Sequence, residues 1–203
     1  MKIHYLGIYE KNKDRVTDFD YLSPKHNPNA QRAPKLPKCY GLIVALLNIV
    51  IGLSLFIFTI YYGKLNISDK HDVFYMLIAA ILSLLLTYLH EFIHALCMGG
   101  DVIMFTSMKN MCLMVNSYRE YTKTHYIIMK LLPNMILGFI PFIIFLIFPE
   151  FAFVGLIGAL QISTGIDDYL KALRCILHLP KGWKIYSHKD GLFWYKPDES
   201  ELD

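Results

Sequence analysis

The sequence predicts an α-helical membrane protein with about four transmembrane helices, a β-hairpin insertion between the second and third, and a small C-terminal hairpin. Hydrophobic residues make up 55% of the 203 residues, more than in an ordinary soluble domain. They are gathered into blocks of about 20 residues or more, the length that a helix needs to cross a bilayer. The net charge of +3 is too small to indicate a nucleic-acid-binding surface.

The N-terminal residues 1–39 are expected to form a polar cytoplasmic tail. They contain prolines and lack the apolar core that a signal peptide requires, so we expect the chain to enter the membrane through its own first span. That span is expected at 40–62, an uncharged apolar stretch. A short polar loop with Lys64 and Lys70 follows it.

The second span is expected over about 73–98, and the glycines Gly99 and Gly100 that follow are expected to end the helix. Within it, residues 90–94 form an HExxH motif. Side chains four positions apart share one face of a helix, so His90 and His94 can bind one Zn²⁺ together. Glu91 lies close enough to take a proton from a water at that metal.

An alternative interpretation of the motif is a helix end whose histidines and glutamate lie among lipid headgroups or bind backbone groups. Random order would produce an HExxH motif in roughly one chain in a hundred of this composition. The apolar surroundings favour the metal site, because unpaired polar side chains are costly inside a bilayer.

Residues 101–125 indicate a β-hairpin at the membrane surface. Two short β-prone runs, 102–105 and 111–115, are separated by Lys109-Asn110. The methionines of this segment either pack in the ordinary way or line a substrate groove, since thioethers adapt to varied partners. They are Met104, Met108, Met111 and Met114.

The third span is expected over about 126–148 and the fourth over about 151–179, which makes 40–179 the membrane-embedded region. Residues 180–203 are expected to form a cytoplasmic tail. Apolar runs on either side of residues 188–191 predict its small hairpin.

The placement of lysine and arginine predicts the orientation. Eight of these residues lie in the N-terminal tail, three between the second and third spans, and six from the end of the fourth span onward, whereas only Lys64 and Lys70 fall on the opposite side. By the positive-inside rule we expect a multi-pass protein of the cell membrane with both termini in the cytoplasm. The cysteines are expected to stay reduced there.

A catalytic zinc site usually takes three protein ligands and leaves a fourth position for water. The candidates for the third ligand in or near the apolar blocks are Glu150, Asp167, Asp168, His125 and His178. At 1.5 Å per residue, the motif histidines lie roughly 26 to 32 Å from the outer boundary and the two aspartates roughly 24 to 26 Å. Glu150 lies at the outer face, and His178 lies roughly 40 Å along its span.

We therefore expect Asp168 to be the third metal ligand, with Asp167 as the close alternative. The aspartate that does not bind metal would hydrogen-bond a ligand histidine. The other interpretation of this pair is that it caps a helix near the membrane interface.

In the third apolar block, Pro133 and Asn134 introduce a helix breaker and an amide. Asn134 is a candidate catalytic residue, because its amide could hydrogen-bond the substrate backbone or the developing oxyanion. The alternative is that Asn134 only joins neighbouring helices.

These motifs together resemble the site-2-protease-type intramembrane zinc metalloproteases. The layout over about 40–195 is more similar to the zincin peptidase family of small bacterial membrane proteins. The resemblance implies metal binding by His90 and His94, Glu91 as the base, and an acid from the final motif as third ligand. The pattern departs from the site-2 proteases in that Tyr169, and not glycine, follows the aspartate pair.

From the residues and the resemblance we expect a membrane-embedded zinc metalloendopeptidase that hydrolyses peptide bonds of membrane-associated substrates near the cytoplasmic face. The expected partners are the lipid bilayer and a membrane-protein or peptide substrate, and no nucleic acid. The alternative is a non-enzymatic metal-binding scaffold or adaptor. A small transporter fits less well, because the sequence contains no internal repeat.

Overall fold

The computed structural model describes residues 2–8, 27, 29–107, 112–188 and 191–197. The helices are α1 (Tyr40–Tyr62), α2 (Lys70–Met98), α3 (Lys123–Asn134), α4 (Ile140–Ile147), α5 (Ala152–Thr164) and α6 (Ile166–His178). The strands are β1 (Lys2–Ile8), β2 (Gln31–Arg32), β3 (Asp101–Ser107), β4 (Cys112–Asn116), β5 (Glu120–Thr122), β6 (Lys184–His188) and β7 (Gly191–Tyr195). A π-helical turn (Met135–Phe139) joins α3 to α4, and a 3-10 turn (Pro149–Phe151) joins α4 to α5.

Within the described residues, three helical stretches are long and apolar enough to cross a membrane. They are α1, α2 and the continuous stretch Lys123–Ile147. A fourth crossing results if Pro149–Thr164 and Ile166–His178 count as one span, although the pair is bent by 51°. The sequence predicted an unbroken fourth span. The break falls at Gly165, and glycine weakens a helix interior. The hydropathy of the segment gives no sign of this break.

One compact unit comprises residues 36–90 and 131–170 and is almost entirely helical. Small residues let its helices approach closely. A Cβ added at Gly52 of α1 would lie 3.1 Å from the Ser163 hydroxyl of α5. Gln161, which is fully buried in α5, donates from Nε2 to the carbonyl of Ser83 in α2 at 2.8 Å. Close approach and side-chain-to-backbone bonds are typical of helix packing in membranes.

The other compact unit comprises residues 1–35, 91–130 and 171–203 and contains two small sheets. The first has the order β1-β3-β4, with β1 parallel and β4 antiparallel to β3. The second has the order β2-β7-β6-β5, and its pairs are all antiparallel. The core of this unit gathers side chains from both sheets and from the helices, including Val102, Tyr121, Met129, Ile185 and Trp194.

Both predicted hairpins are present, since β3 pairs with β4 and β6 pairs with β7. Their turns, at 108–111 and 189–190, lie outside the described residues. Two of the four methionines of the predicted groove, Met108 and Met111, therefore lie outside the described residues. Of the other two methionines, Met104 is buried and Met114 is 39% exposed.

Candidate metal centre

The HExxH motif lies near the C-terminal end of α2, where the helix is largely shielded. His90 is 7% exposed and His94 is 2% exposed, and Glu91 is half-buried. One potential ligand atom of each of these three residues lies within 4.8 Å of the other two. Zinc–nitrogen bonds are about 2.0–2.1 Å long, so two nitrogen ligands of one ion lie within about 4.2 Å of each other. A small side-chain adjustment would therefore let this turn hold one ion.

The ring of His94 is oriented by the backbone of α3. Its Nδ1 donates a hydrogen bond to the carbonyl of Met129 at 2.8 Å. This bond selects the tautomer in which Nε2 carries the lone pair, the arrangement that a metal-binding histidine needs. The main chain of α3 thus prepares His94 as a ligand.

His90 contacts the acidic pair. Its Nε2 lies 3.0 Å from Oδ2 of Asp168, and Asp168 is itself buried. Two ligand atoms bound to one tetrahedral zinc ion lie roughly 3.3 Å apart, so this distance fits a shared ion as well as a direct hydrogen bond. Asp168 thus reaches the motif through His90.

Asp167 has a different partner. Its Oδ1 accepts a hydrogen bond from the hydroxyl of Tyr40, at the start of α1, at 2.7 Å. The sequence predicts that the aspartate that does not bind metal would hydrogen-bond a ligand histidine, and it gives no sign of this contact with Tyr40. Both aspartates occupy the first turn of α6, where the helix dipole also favours a negative charge.

Asn134 is the last residue of α3 and is fully buried. Neither Nδ2 nor Oδ1 of its amide has a hydrogen-bond partner among the described residues. The amide packs against Gly165, where an added Cβ would lie 1.8 Å from Oδ1. A buried amide without a partner is costly, so Asn134 requires an explanation beyond packing.

The remaining candidates for the third ligand have other surroundings. His125 is exposed and donates from Nε2 to the carbonyl of Cys97 at 2.8 Å. Glu150 is exposed in the 3-10 turn, and His178 is the last residue of α6. The depth argument from the sequence ranks Glu150 and His178 below the aspartate pair and gives no depth for His125.

Sequence reasoning did not identify the residues that secure the end of the motif helix. Besides His125, the Tyr121 hydroxyl donates to the carbonyl of Met98 at 3.3 Å. Burial raises the pKa of Tyr121, against smaller lowering effects of Ser117 and Arg119, so the phenol keeps its proton for this bond. A tyrosine or histidine shortly after a helix gives no distinctive sequence signal, because its target is a main-chain carbonyl.

A comparison with protein families places part of the chain in a known family. Residues 83–183 match the model of a family described as "Putative zincin peptidase". The matched region runs from the middle of α2 to just beyond α6 and therefore includes the HExxH turn, Asn134 and the aspartate pair. No curated protein and no solved structure matches the chain.

Proposed function

Since this chain belongs, through residues 83–183, to the zincin peptidase family, we propose that it is a membrane-embedded zinc metalloendopeptidase. It would hydrolyse peptide bonds of membrane-associated substrates near the cytoplasmic face. The observation that carries the proposal is the buried HExxH turn of α2, with His90 lying 3.0 Å from the carboxylate of Asp168.

Location in a membrane is supported by the exposed apolar surface of the helices. In an apolar 18-residue stretch of α1 only 6% of the residues are buried, and in one of α2 only 17%. Apolar surface of this extent is unfavourable in water and favourable in the hydrocarbon core of a bilayer. The distribution of lysine and arginine supports a cytoplasmic location of the HExxH end of α2.

The donor set fits zinc, which binds imidazole nitrogen and carboxylate oxygen and in catalytic sites takes three protein ligands. We assign these ligands to His90, His94 and Asp168, with Asp167 as the alternative carboxylate. A zinc ion held there would supply Lewis-acid polarisation of the scissile carbonyl and of water.

Glu91 acts as the general base in this proposal. Its carboxylate accepts a proton from the attacking water and then delivers it to the nitrogen of the leaving amine. Its half-buried position within 4.8 Å of potential ligand atoms of both histidines supports this role.

Asn134 acts as a hydrogen-bond donor to the substrate backbone or to the developing oxyanion. Its unpartnered amide supports this role. Since the amide is packed against Gly165, the contact between them must loosen when substrate binds.

An extended substrate segment would add to the sheet formed by β1, β3 and β4. β1 covers one side of β3, and β4 is the other edge of this sheet among the described strands. Pairing with β4 would keep the peptide extended and its scissile carbonyl accessible to attack.

Replacement of Glu91 by glutamine tests the catalytic role. The variant should keep the zinc content of the wild type, while cleavage of a membrane-anchored model substrate falls by about 10²–10⁴-fold, the usual contribution of a general base. Glu120→Gln is the matched control, because this residue lies in β5 and contacts Tyr195 and Lys184. It should cleave like the wild type.

Cleavage retained by purified Glu91→Gln protein would contradict the proposed role of Glu91. A wild-type protein that binds zinc but cleaves no member of a broad substrate panel would favour the scaffold or adaptor over the enzyme.

A further inference from the structure

We propose that a second site, at the other end of α1 from the aspartate pair, binds the head group of a zwitterionic phospholipid with a primary ammonium. A cavity of about 670 Å³ lies there, lined by Tyr61, Tyr62, Gly63, Lys64, Pro149 and Glu150. This volume is within the range of sites that bind small molecules. Lys64 would bind the phosphodiester and Glu150 the ammonium.

The cavity is remote from the candidate metal centre. Tyr40, at the first turn of α1, hydrogen-bonds Asp167, whereas Tyr61 and Tyr62 form the last turn of the same helix. At 1.5 Å per residue the two ends of α1 are about 33 Å apart, close to the thickness of the hydrocarbon core. A ligand in the cavity therefore lies at the level of the lipid head groups on the membrane face opposite to the aspartate pair.

The charges of the cavity match a zwitterion. Lys64 and Glu150 both line it and both are exposed. In the part of the chain that the structure describes, the ion pairs are formed by other residues, so these two opposite charges are available to one ligand. An ammonium group binds a phosphate as a point charge, and a carboxylate accepts hydrogen bonds from a primary ammonium. A purely anionic head group would instead meet repulsion from Glu150.

The backbone at Lys64 gives a second, independent observation. Lys64 has φ +54°, and it is the one non-glycine residue with positive φ in the described chain. Glycine adopts this conformation without steric cost, whereas a lysine is strained there. Strained backbone is commonly kept at binding sites, and here it holds a cation at the rim of the cavity.

One wall of the cavity contains a tyrosine that packs against other aromatic rings. The ring of Tyr62 stacks on Phe58 with centroids 5.5 Å apart and meets the edge of Phe145 at 5.6 Å. Its neighbour Tyr61 is 85% exposed. Tyrosines are enriched at the level of the lipid head groups, where one end of the ring is apolar and the other is wet.

Native mass spectrometry of the full-length protein tests the proposal. The protein is mixed with equimolar phosphatidylethanolamine, phosphatidylglycerol and phosphatidylcholine that carry identical acyl chains. The wild type should retain phosphatidylethanolamine in preference to the other two. Lys64→Gln and Glu150→Gln should each reduce this preference about tenfold, since each removes one charge-assisted contact, and Lys64→Arg should keep it.

Lys70→Gln and Asp69→Asn serve as matched controls. Asp69 directly precedes α2 and Lys70 is its first residue. Both line a separate cavity of about 330 Å³, so the preference should not change. Glu91→Gln should also keep it, which separates this proposal from the enzymatic one.

Equal retention of the three lipids by the wild type would overturn the proposal. So would an undiminished preference in Lys64→Gln and Glu150→Gln, or an equal loss in the control variants. Soluble glycerophosphoethanolamine bound to higher occupancy than the lipid would assign the site to a free phosphodiester instead.

Discussion

At the scale of single residues, the aspartate pair shows how helix geometry separates two adjacent acids. Successive side chains on an α-helix point in directions about 100° apart, so Asp167 and Asp168 face different neighbours. Asp168 lies 3.0 Å from His90, and Asp167 accepts a hydrogen bond from Tyr40. The sequence predicted the depth of the pair from the spacing of residues. It could not assign their partners, because the rotation of α6 about its axis depends on packing after Gly165.

Gly165 is the residue whose substitution should disturb this arrangement most directly. In Gly165→Ala the new Cβ would lie 1.8 Å from Oδ1 of Asn134. Overpacking of this kind lowers the free energy of unfolding by about 1–3 kcal/mol, so the thermal midpoint in detergent should fall. Gly41→Ala is the matched control, because nothing lies within 4 Å of its added Cβ. Equal midpoints for the two variants would argue against close packing of Asn134 on Gly165.

At the scale of elements, the end of α2 is held from several directions. Gly99 and Gly100 end the helix with φ of +63° and +67°, a conformation in which glycine is preferred after a helix. Tyr121 and His125 donate to the carbonyls of Met98 and Cys97. Since the HExxH motif lies just before this end, the same contacts limit the movement of its side chains.

Removal of one of these donors should loosen the end of α2. Tyr121→Phe lacks the hydroxyl that donates to the carbonyl of Met98, and such a hydrogen bond contributes about 1 kcal/mol to stability. The amides of the last turn of α2 should therefore exchange with deuterium roughly fivefold faster. Tyr75→Phe, in the first turns of α2, should leave their exchange unchanged. Unaltered exchange in Tyr121→Phe would show that the bond does not secure the helix end.

The sequence predicted the elements that carry local signals, and it missed those that depend on distant partners. The uncharged block at 40–62 became α1 with the same ends, and the glycines after Met98 ended α2 as expected. β1 was not predicted, because residues 2–8 acquire a reason to be extended only when they pair with β3, about a hundred residues later. The three-residue strand β5 is likewise defined by its pairing with β6.

At the scale of the whole molecule, the number of membrane crossings decides the orientation of the chain ends. Three crossings place the two termini on opposite sides of the membrane, and four place them on the same side. The positive-inside rule favours the second arrangement, with both termini cytoplasmic. The bent pair α5–α6 would then act as one crossing, with its 51° bend beside the aspartates.

Topology reporters distinguish these two arrangements. Fluorescent-protein fusions that fold only in the cytoplasm should be bright at both the N-terminus and the C-terminus, and a cysteine introduced between Lys64 and Lys70 should react with an impermeant reagent from outside. A dark C-terminal fusion together with a bright N-terminal one would mean that α5 and α6 do not cross the membrane as a unit.

The zinc content of four purified proteins tests the central claim, that two histidines of α2 and one aspartate of α6 bind a single zinc ion. The wild type and Asp167→Ala should each contain one zinc per chain, and His94→Ala and Asp168→Ala should lose it, because each removes one of three protein ligands. Loss of zinc in Asp167→Ala but not in Asp168→Ala would transfer the ligand role to Asp167. Equal zinc content in all four proteins would contradict the metal site.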